Sequence, residues 1–202
     1  MNLQDKALGV RQVFDELGME IKSYLDESQL TCFSGCGLCC SNPKVNASVI
    51  EFLPLAFKLF EEGKAESVLE KLETLDDDAC VLYKKTSEDG HAGFCSDYQN
   101  RGLICRLFGT SSRKNKYNEN ELLVCNKIKV GKPELFNEVS LAIKKDMQVP
   151  SSANNYSKLS NLDFDLTSAQ FTVNIAIKNA LEAVLRFEFY ERNQEPEIPE
   201  NF

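Results

Sequence analysis

Cysteine is the residue type in this chain with the most chemistry to offer, and its eight copies are not scattered. Cys32, Cys36, Cys39 and Cys40 fall in the run CFSGCGLCC, Cys80, Cys95, Cys105 and Cys125 follow singly, and both ends of the chain have none. Thiolates are preferred ligands of zinc, Cu(I) and iron–sulfur clusters, and four complete a tetrahedral site, so eight suffice for two sites or one site with spares. Cys36-Gly37-Leu38-Cys39 is a CxxC chelate whose loop can wrap two sulfurs around one metal. Gly35 and Gly37 are expected to let the backbone turn and to aim N–H groups at sulfur. Cys32 can join from the preceding turn. Adjacent side chains in extended backbone point apart, so Cys40 belongs to a second site or stays a free thiol.

Zinc modules usually pair two knuckles, whereas here one compact run is followed by isolated cysteines. That pattern puts an iron–sulfur cluster or iron first and zinc second. Cys32, Cys36, Cys39 and one or more of Cys40, Cys95 and Cys105 are the expected core ligands, with Cys80 and Cys125 completing the candidate metal set. The CxxxCxxC spacing is also that of radical S-adenosylmethionine enzymes. Those need much of a strand–helix barrel, about 250 residues when complete, and an aromatic residue where this chain has Leu38. A metal-free thiol switch through Cys39 with Cys40 or Cys36 is a further alternative. His91, the only histidine, sits in an expected turn and could add a nitrogen ligand or a proton relay. Tyr98, Arg101 and Arg106 flank candidate ligands, where a cation would offset the negative charge of a four-thiolate site. Asp76, Asp77 and Asp78 read as a solvated helix end. No P-loop, dinucleotide fingerprint or Ser/His/Asp arrangement is present, so no catalytic residue is assigned.

These residues need a scaffold. Leu3, Ala7, Val10, Phe14, Leu17, Ile21 and Leu25 recur at three- and four-residue steps and predict an amphipathic helix over residues 1–28. Ser48 and Glu51 form a capping box ahead of a second helix, which Pro54 kinks or restarts. A third, short helix is expected around Val68, Leu69, Leu72 and Leu75. ACVLYKK and GFCSDY flank TSEDGHA, whose Asp89-Gly90 pair predicts a β-hairpin. An even loop would put Cys80 and Cys95 on one face, and an odd loop would separate them. Residues 102–130 look irregular, with a short strand at ELLVC. Pro133 opens a helix through Met147, a Ser/Asn-rich linker is expected from Pro150 to Asn161, and the last helix is expected to start at Thr167/Gln170. The tail NQEPEIPENF is expected to be disordered. The fold class is therefore mainly α, within α+β: one domain over residues 1–202 with a central metal-binding region at 29–130, a helical part at 131–192 and a tail at 193–202.

The composition, 43% hydrophobic and 27% charged, can bury a core without staples. Asp5, Lys6 and Arg11 stand where a signal peptide would be apolar, and no apolar run could span a bilayer. The expected compartment is the cytoplasm, where thiols stay reduced and eight cysteines point to metal rather than disulfides. A net charge of −8 and a pI near 4.9 argue against nucleic-acid and membrane partners and leave a protein partner open. Within that acidic chain, Arg101, Arg106, Arg113, Lys114, Lys116, Lys127 and Lys129 make a basic island, read either as a solvated loop or as compensation for an anionic metal site.

CFSGCGLCC, then Cys80, CSDYQNRGLICRLFG from Cys95, and Cys125 together resemble the CxxCxxCC, or YkgJ-like, cysteine-cluster family of zinc- or iron-chelating proteins. That family carries eight cysteines and a second motif, CxxYxxRPxxCRxF, matched here by Cys95, Tyr98, Arg101, Cys105, Arg106 and Phe108. Gly102 replaces the motif's proline, which is expected to loosen the turn before Cys105. The resemblance implies a metal or iron–sulfur protein, and some relatives carry oxidoreductase labels.

Overall fold

The computed structural model describes residues 1–75 and 79–192. Asp76, Asp77, Asp78 and the expected disordered tail at 193–202 lie outside the described residues. The first helix, α1 (Leu3–Ser28), starts where Asn2 Oδ1 accepts the Asp5 N–H at 2.8 Å and ends at Gln29 in the left-handed conformation. Of the predicted stripe Ala7, Val10, Phe14 and Leu17 are buried and Leu3, Ile21 and Leu25 partly so, while Val13 and Tyr24 are buried besides. β1 (Asn46–Ser48) leads into a 3-10 turn (Val49–Phe52), and α2 (Leu53–Glu61) starts afresh with Pro54 in its first turn, where the missing N–H costs nothing. α3 (Ala65–Glu73) follows.

β2 (Tyr83–Lys85) and β3 (Gly93–Cys95) form the expected hairpin, with Tyr83 opposite Cys95. A short helix, α4 (Leu103–Leu107), precedes a second hairpin of β4 (Ser112–Lys114) and β5 (Asn120–Leu122). The ELLVC strand is thus real but ends at Leu122, before Leu123, Val124 and Cys125. α5 (Asn126–Gly131) and α6 (Pro133–Lys145) complete this half.

Two expectations for the C-terminal part are corrected. The Ser/Asn-rich linker is instead the helix α7 (Ser152–Leu162): Ser151 caps it, accepting the Asn154 N–H at 3.3 Å, and Leu159 is fully buried. Tertiary burial overrides the weak helix propensity of serine and asparagine. Thr167 and Gln170 do not open the last helix. Thr167 belongs to α8 (Phe164–Ser168), and Gln170 opens β6 (Gln170–Thr172), which pairs antiparallel with β1 before α9 (Val173–Arg192) begins.

The largest hydrophobic cluster gathers Leu17 of α1, Leu55 and Phe57 of α2, Leu103 and Leu107 of α4, and Ile177 and Leu181 of α9. Each fully buried side chain of this size contributes about 1.5–3 kcal/mol. A second cluster joins Tyr24, Leu30, Leu122, Ile128, Val139 and Ile143. Cys80 and Cys95 pack against the first cluster and Cys125 against the second, so the cysteine-rich region lies between them.

Candidate metal centre

The CFSGCGLCC loop turns at Gly35, whose φ of +67° favours glycine. Gly37 is required for space instead: a Cβ there would lie 1.7 Å from the Tyr83 hydroxyl. That hydroxyl is fixed by donating to Gly90 O at 2.9 Å. The loop is laid along the hairpin by Gly93 N–H to Gly35 O (2.9 Å) and Gly37 N–H to His91 O (2.8 Å). The Gly37 amide is therefore spent on a carbonyl and not on sulfur, contrary to the sequence reading. His91 serves through its backbone, while its exposed ring sits 3.4 Å from Asp89.

Each later cysteine arrives on its own support. Cys80 N–H donates to Cys40 O at 2.8 Å, and Asn174 of α9 grips the segment on both sides, accepting Val81 N–H at 2.8 Å and donating to Ala79 O at 2.9 Å. Seven residues, 86–92, separate β2 from β3, an odd number, so the ladder itself does not place Cys80 and Cys95 on one face. A turn outside the ladder, with Tyr83 N–H donating to Cys80 O at 2.8 Å, brings them together instead. Backbone N–H groups of Leu82 and Asp97, each two residues on, donate to the sulfurs of Cys80 and Cys95 and favour their thiolates.

Cys105 is set by a fully buried carboxylate. Glu51 accepts Ser48 N–H at 2.8 Å and Ser48 Oγ–H at 3.0 Å with one oxygen, and the Ile104 N–H at 2.9 Å with the other. The capping box read from the sequence thus also holds the start of α4. Gly102 has φ −60°, a value open to proline, but a side chain there would meet Phe52 Cζ at 2.8 Å. Cys125 caps α5, which is tied to the loop by Lys132 Nζ donating to Thr31 O at 2.7 Å. On the same helix Lys127 Nζ stands 3.6 Å from Cys36 Sγ.

The thiols interact mainly within two sets that are coupled through Cys39 and Cys40. Cys32 is raised by burial and then by Cys36 and Cys125, and Cys39 is pushed up to about 12 by burial and then by Cys125, Cys32, Cys40 and Cys36. Cys40 is raised by burial and then by Cys95 and, less, by Cys36, with the Arg101 guanidinium opposing. Burial chiefly pushes Cys80 up to about 12, with Cys40 and Cys95 adding, and it raises Cys105 further, with Cys80, Glu51 and Cys40 adding. Cys125 is therefore the remote thiol that acts on both Cys32 and Cys39, while Cys40 interacts with Cys80, Cys95 and Cys105 as well as with Cys36 and Cys39.

All eight are free thiols. Among the described residues, no three His, Cys, Asp or Glu side chains already stand close enough to hold an ion, so closing either set requires side-chain or backbone movement. The donor chemistry nevertheless fits a thiophilic metal, and a buried donor points the same way: Arg101 Nε, beside the second set, has no hydrogen-bond partner. Residues 31–126, from just before Cys32 to just after Cys125, match the family model CxxCxxCC. This segment is a CxxCxxCC domain. The family is described as a "Putative zinc- or iron-chelating domain". Neither the curated proteins nor the solved structures gave a significant match to the chain.

Arg101 and Arg106 of the domain's second motif have different roles. The Arg101 guanidinium lies 3.9 Å from the Tyr98 ring centre, which fixes it near the thiols. Arg106 Nε donates to Arg101 O at 3.1 Å, its guanidinium also reaches Gln99 O, and it covers the Phe14 ring at 4.3 Å. It clamps the loop to α1. Asp97, which sequence reasoning passed over, fastens the loop's other side by accepting from Lys58 Nζ at 2.6 Å and Asn100 Nδ2 at 2.9 Å. Its position two residues after Cys95 was the available signal. Lys127 was legible only as one member of the basic island.

Proposed function

We propose that the CxxCxxCC domain binds iron, as an iron–sulfur cluster, through thiolates, and that the bound group has a redox role. The observation that carries this reading is the convergence of all eight thiols from five separate stretches of chain onto one region between two hydrophobic clusters. Sulfur is the predominant donor type among the described residues there, which suits iron–sulfur clusters and zinc over magnesium or calcium. A cluster would supply one-electron transfer. Cys32 and Cys39 are exposed, so a group held beside them lies within reach of a redox partner. Lys127 and Arg101 bring positive charge to thiolates whose own repulsion opposes their ionisation. This chemistry needs a reducing compartment, the cytoplasm. Optical spectra of oxygen-protected protein, with iron, zinc and sulfide analysis, test the reading: visible absorption with iron and sulfide is expected, and colourless protein with stoichiometric zinc and no iron overturns it.

A zinc-stabilised, non-catalytic interaction module is the second reading. What favours it is the way Cys40, Cys80, Cys95 and Cys105 come from different elements fixed by α9, the hairpin and Glu51. A redox-inert ion there would chiefly fasten those elements together. Unchanged folding after complete removal of zinc would count against it.

A further inference from the structure

We propose that the eight cysteines form two separate metal sites meeting at the Cys39–Cys40 peptide bond: an outer, exchangeable site of Cys32, Cys36, Cys39 and Cys125, and an inner, retained site of Cys40, Cys80, Cys95 and Cys105. The proposal rests on the thiolate metal-binding reading above and divides that site.

The later cysteines divide by support, while the CFSGCGLCC loop, which carries Cys40 as well as three outer cysteines, rests on the β2–β3 hairpin. The outer four come from one loop and one helix start. Cys125 stands just before the six-residue α5, which lays Lys127 against Cys36 at 3.6 Å, and Lys132 just after it donates to Thr31 O at 2.7 Å. The inner four come from four stretches: Cys40 ends the loop of the outer set, and the other three are held by the main body of the fold. Cys80 is bonded to Cys40 through the backbone and gripped from α9 by Asn174. Cys95 lies in the β2–β3 ladder opposite Tyr83. Cys105 lies on α4, whose first amides reach the fully buried Glu51.

Access and charge follow the same line. Both exposed cysteines, Cys32 and Cys39, are in the outer set, and every inner cysteine is at least half covered. Four thiolates around a divalent ion leave a net charge near −2, and two such sites would repel strongly in an already acidic chain. Cations stand at both sets: Lys127 at Cys36, and Lys71 beside Cys80 together with Arg101, its buried Nε unpartnered, beside Cys40, Cys95 and Cys105. The Cys39–Cys40 pair fits this division because adjacent side chains diverge. A single four-thiolate site would leave half of the thiols, and the cations beside them, without an ion to hold or offset.

The test uses the full chain loaded anaerobically with Zn²⁺. One zinc ion per set is expected. Transfer to a chromogenic chelator should occur in two resolved phases, with Cys32 and Cys39 alkylated by iodoacetamide during the first and Cys80 and Cys105 only during the second. Cys125→Ser should abolish the fast phase and half of the zinc, and Cys105→Ser the slow phase. Should Cys105→Ser fail to fold, the alkylation order in the unaltered chain and the Cys32→Ser variant decide the matter. A single zinc per chain, one release phase with all eight thiols alkylated together, or loss of all zinc on Cys125→Ser overturns the division while leaving metal binding intact. Failure to bind either zinc or iron overturns the metal-binding reading as well.

Discussion

Arg101 is the residue whose environment is hardest to explain without a ligand group nearby. Its guanidinium is pinned on the Tyr98 ring, yet a buried Nε–H has no acceptor. Such a donor is costly unless a sulfur or its metal-bound form accepts from it. Arg101→Gln is expected to weaken metal binding about 10-fold to 100-fold, the usual effect of losing a group that supports a ligand. Arg101→Lys, which keeps the charge but not the Nε, should fall between the two. Chelator competition measures both, and unchanged affinity would show that the buried nitrogen is unrelated to the thiols. Gly37 makes a steric prediction: any side chain there collides with Tyr83, so Gly37→Ala should cost about 1–3 kcal/mol in denaturant unfolding.

Among the elements, the short α4 depends most on a distant partner. Glu51 accepts bonds at the 3-10 turn and at the start of α4 with its two oxygens, so Glu51→Ala leaves buried N–H groups unmatched at both. A loss of about 2–3 kcal/mol is expected, with the Cys105 thiol becoming accessible to alkylating reagent. The loop between β3 and α4 responds to pH through Asp97. Lys58 and Asn100 hold its carboxyl below the usual range despite partial burial. A carboxylate with a lowered folded pKa contributes stability above its unfolded value, near 3.8, and loses it as pH falls through the lowered one. Asp97→Asn should therefore flatten the acid limb of the stability curve. Screening at the half-exposed Lys58 limits the effect at neutral pH to about 1 kcal/mol.

For the molecule as a whole, two hydrophobic clusters with thiols between them make metal binding and folding interdependent. Removing the metal should lower Tm, because binding energy gained only in the folded state is then lost. The stripped, reduced chain should also lose stability in alkali. Cys39 and Cys80 are held near 12 against an ordinary value of 9. Folding thus favours the neutral thiols, and the stability they contribute is complete below pH 9 and lost as pH rises toward 12. Metal affinity should move oppositely and rise with pH, since ligation displaces those protons. Denaturant melts of the stripped chain from pH 7 upward, beside zinc titrations at each pH, check both signs. Among the described residues no helix is long and apolar enough to cross a membrane.

What the sequence determined alone is what repeats or sits close together in it. The stripe of α1, the Ser48/Glu51 box, the Asp89-Gly90 hairpin and the mainly helical class are local or periodic and are recovered in the fold, and the cysteine pattern is matched by the family model over residues 31–126. Burial decided where local signals were weak or misleading. Leu159 and Asn155 turn a polar stretch into α7, and the pairing of Gln170 with Ser48 displaces the start of the last helix to Val173. The cysteine run likewise gave the chemistry but not the grouping. Which thiol faces which depends on a turn at Cys80, on Asn174 reaching from α9, on Glu51 holding α4 and on Cys125 opening α5. Those are contacts between residues far apart in the chain, and their spacing in sequence carries no record of them.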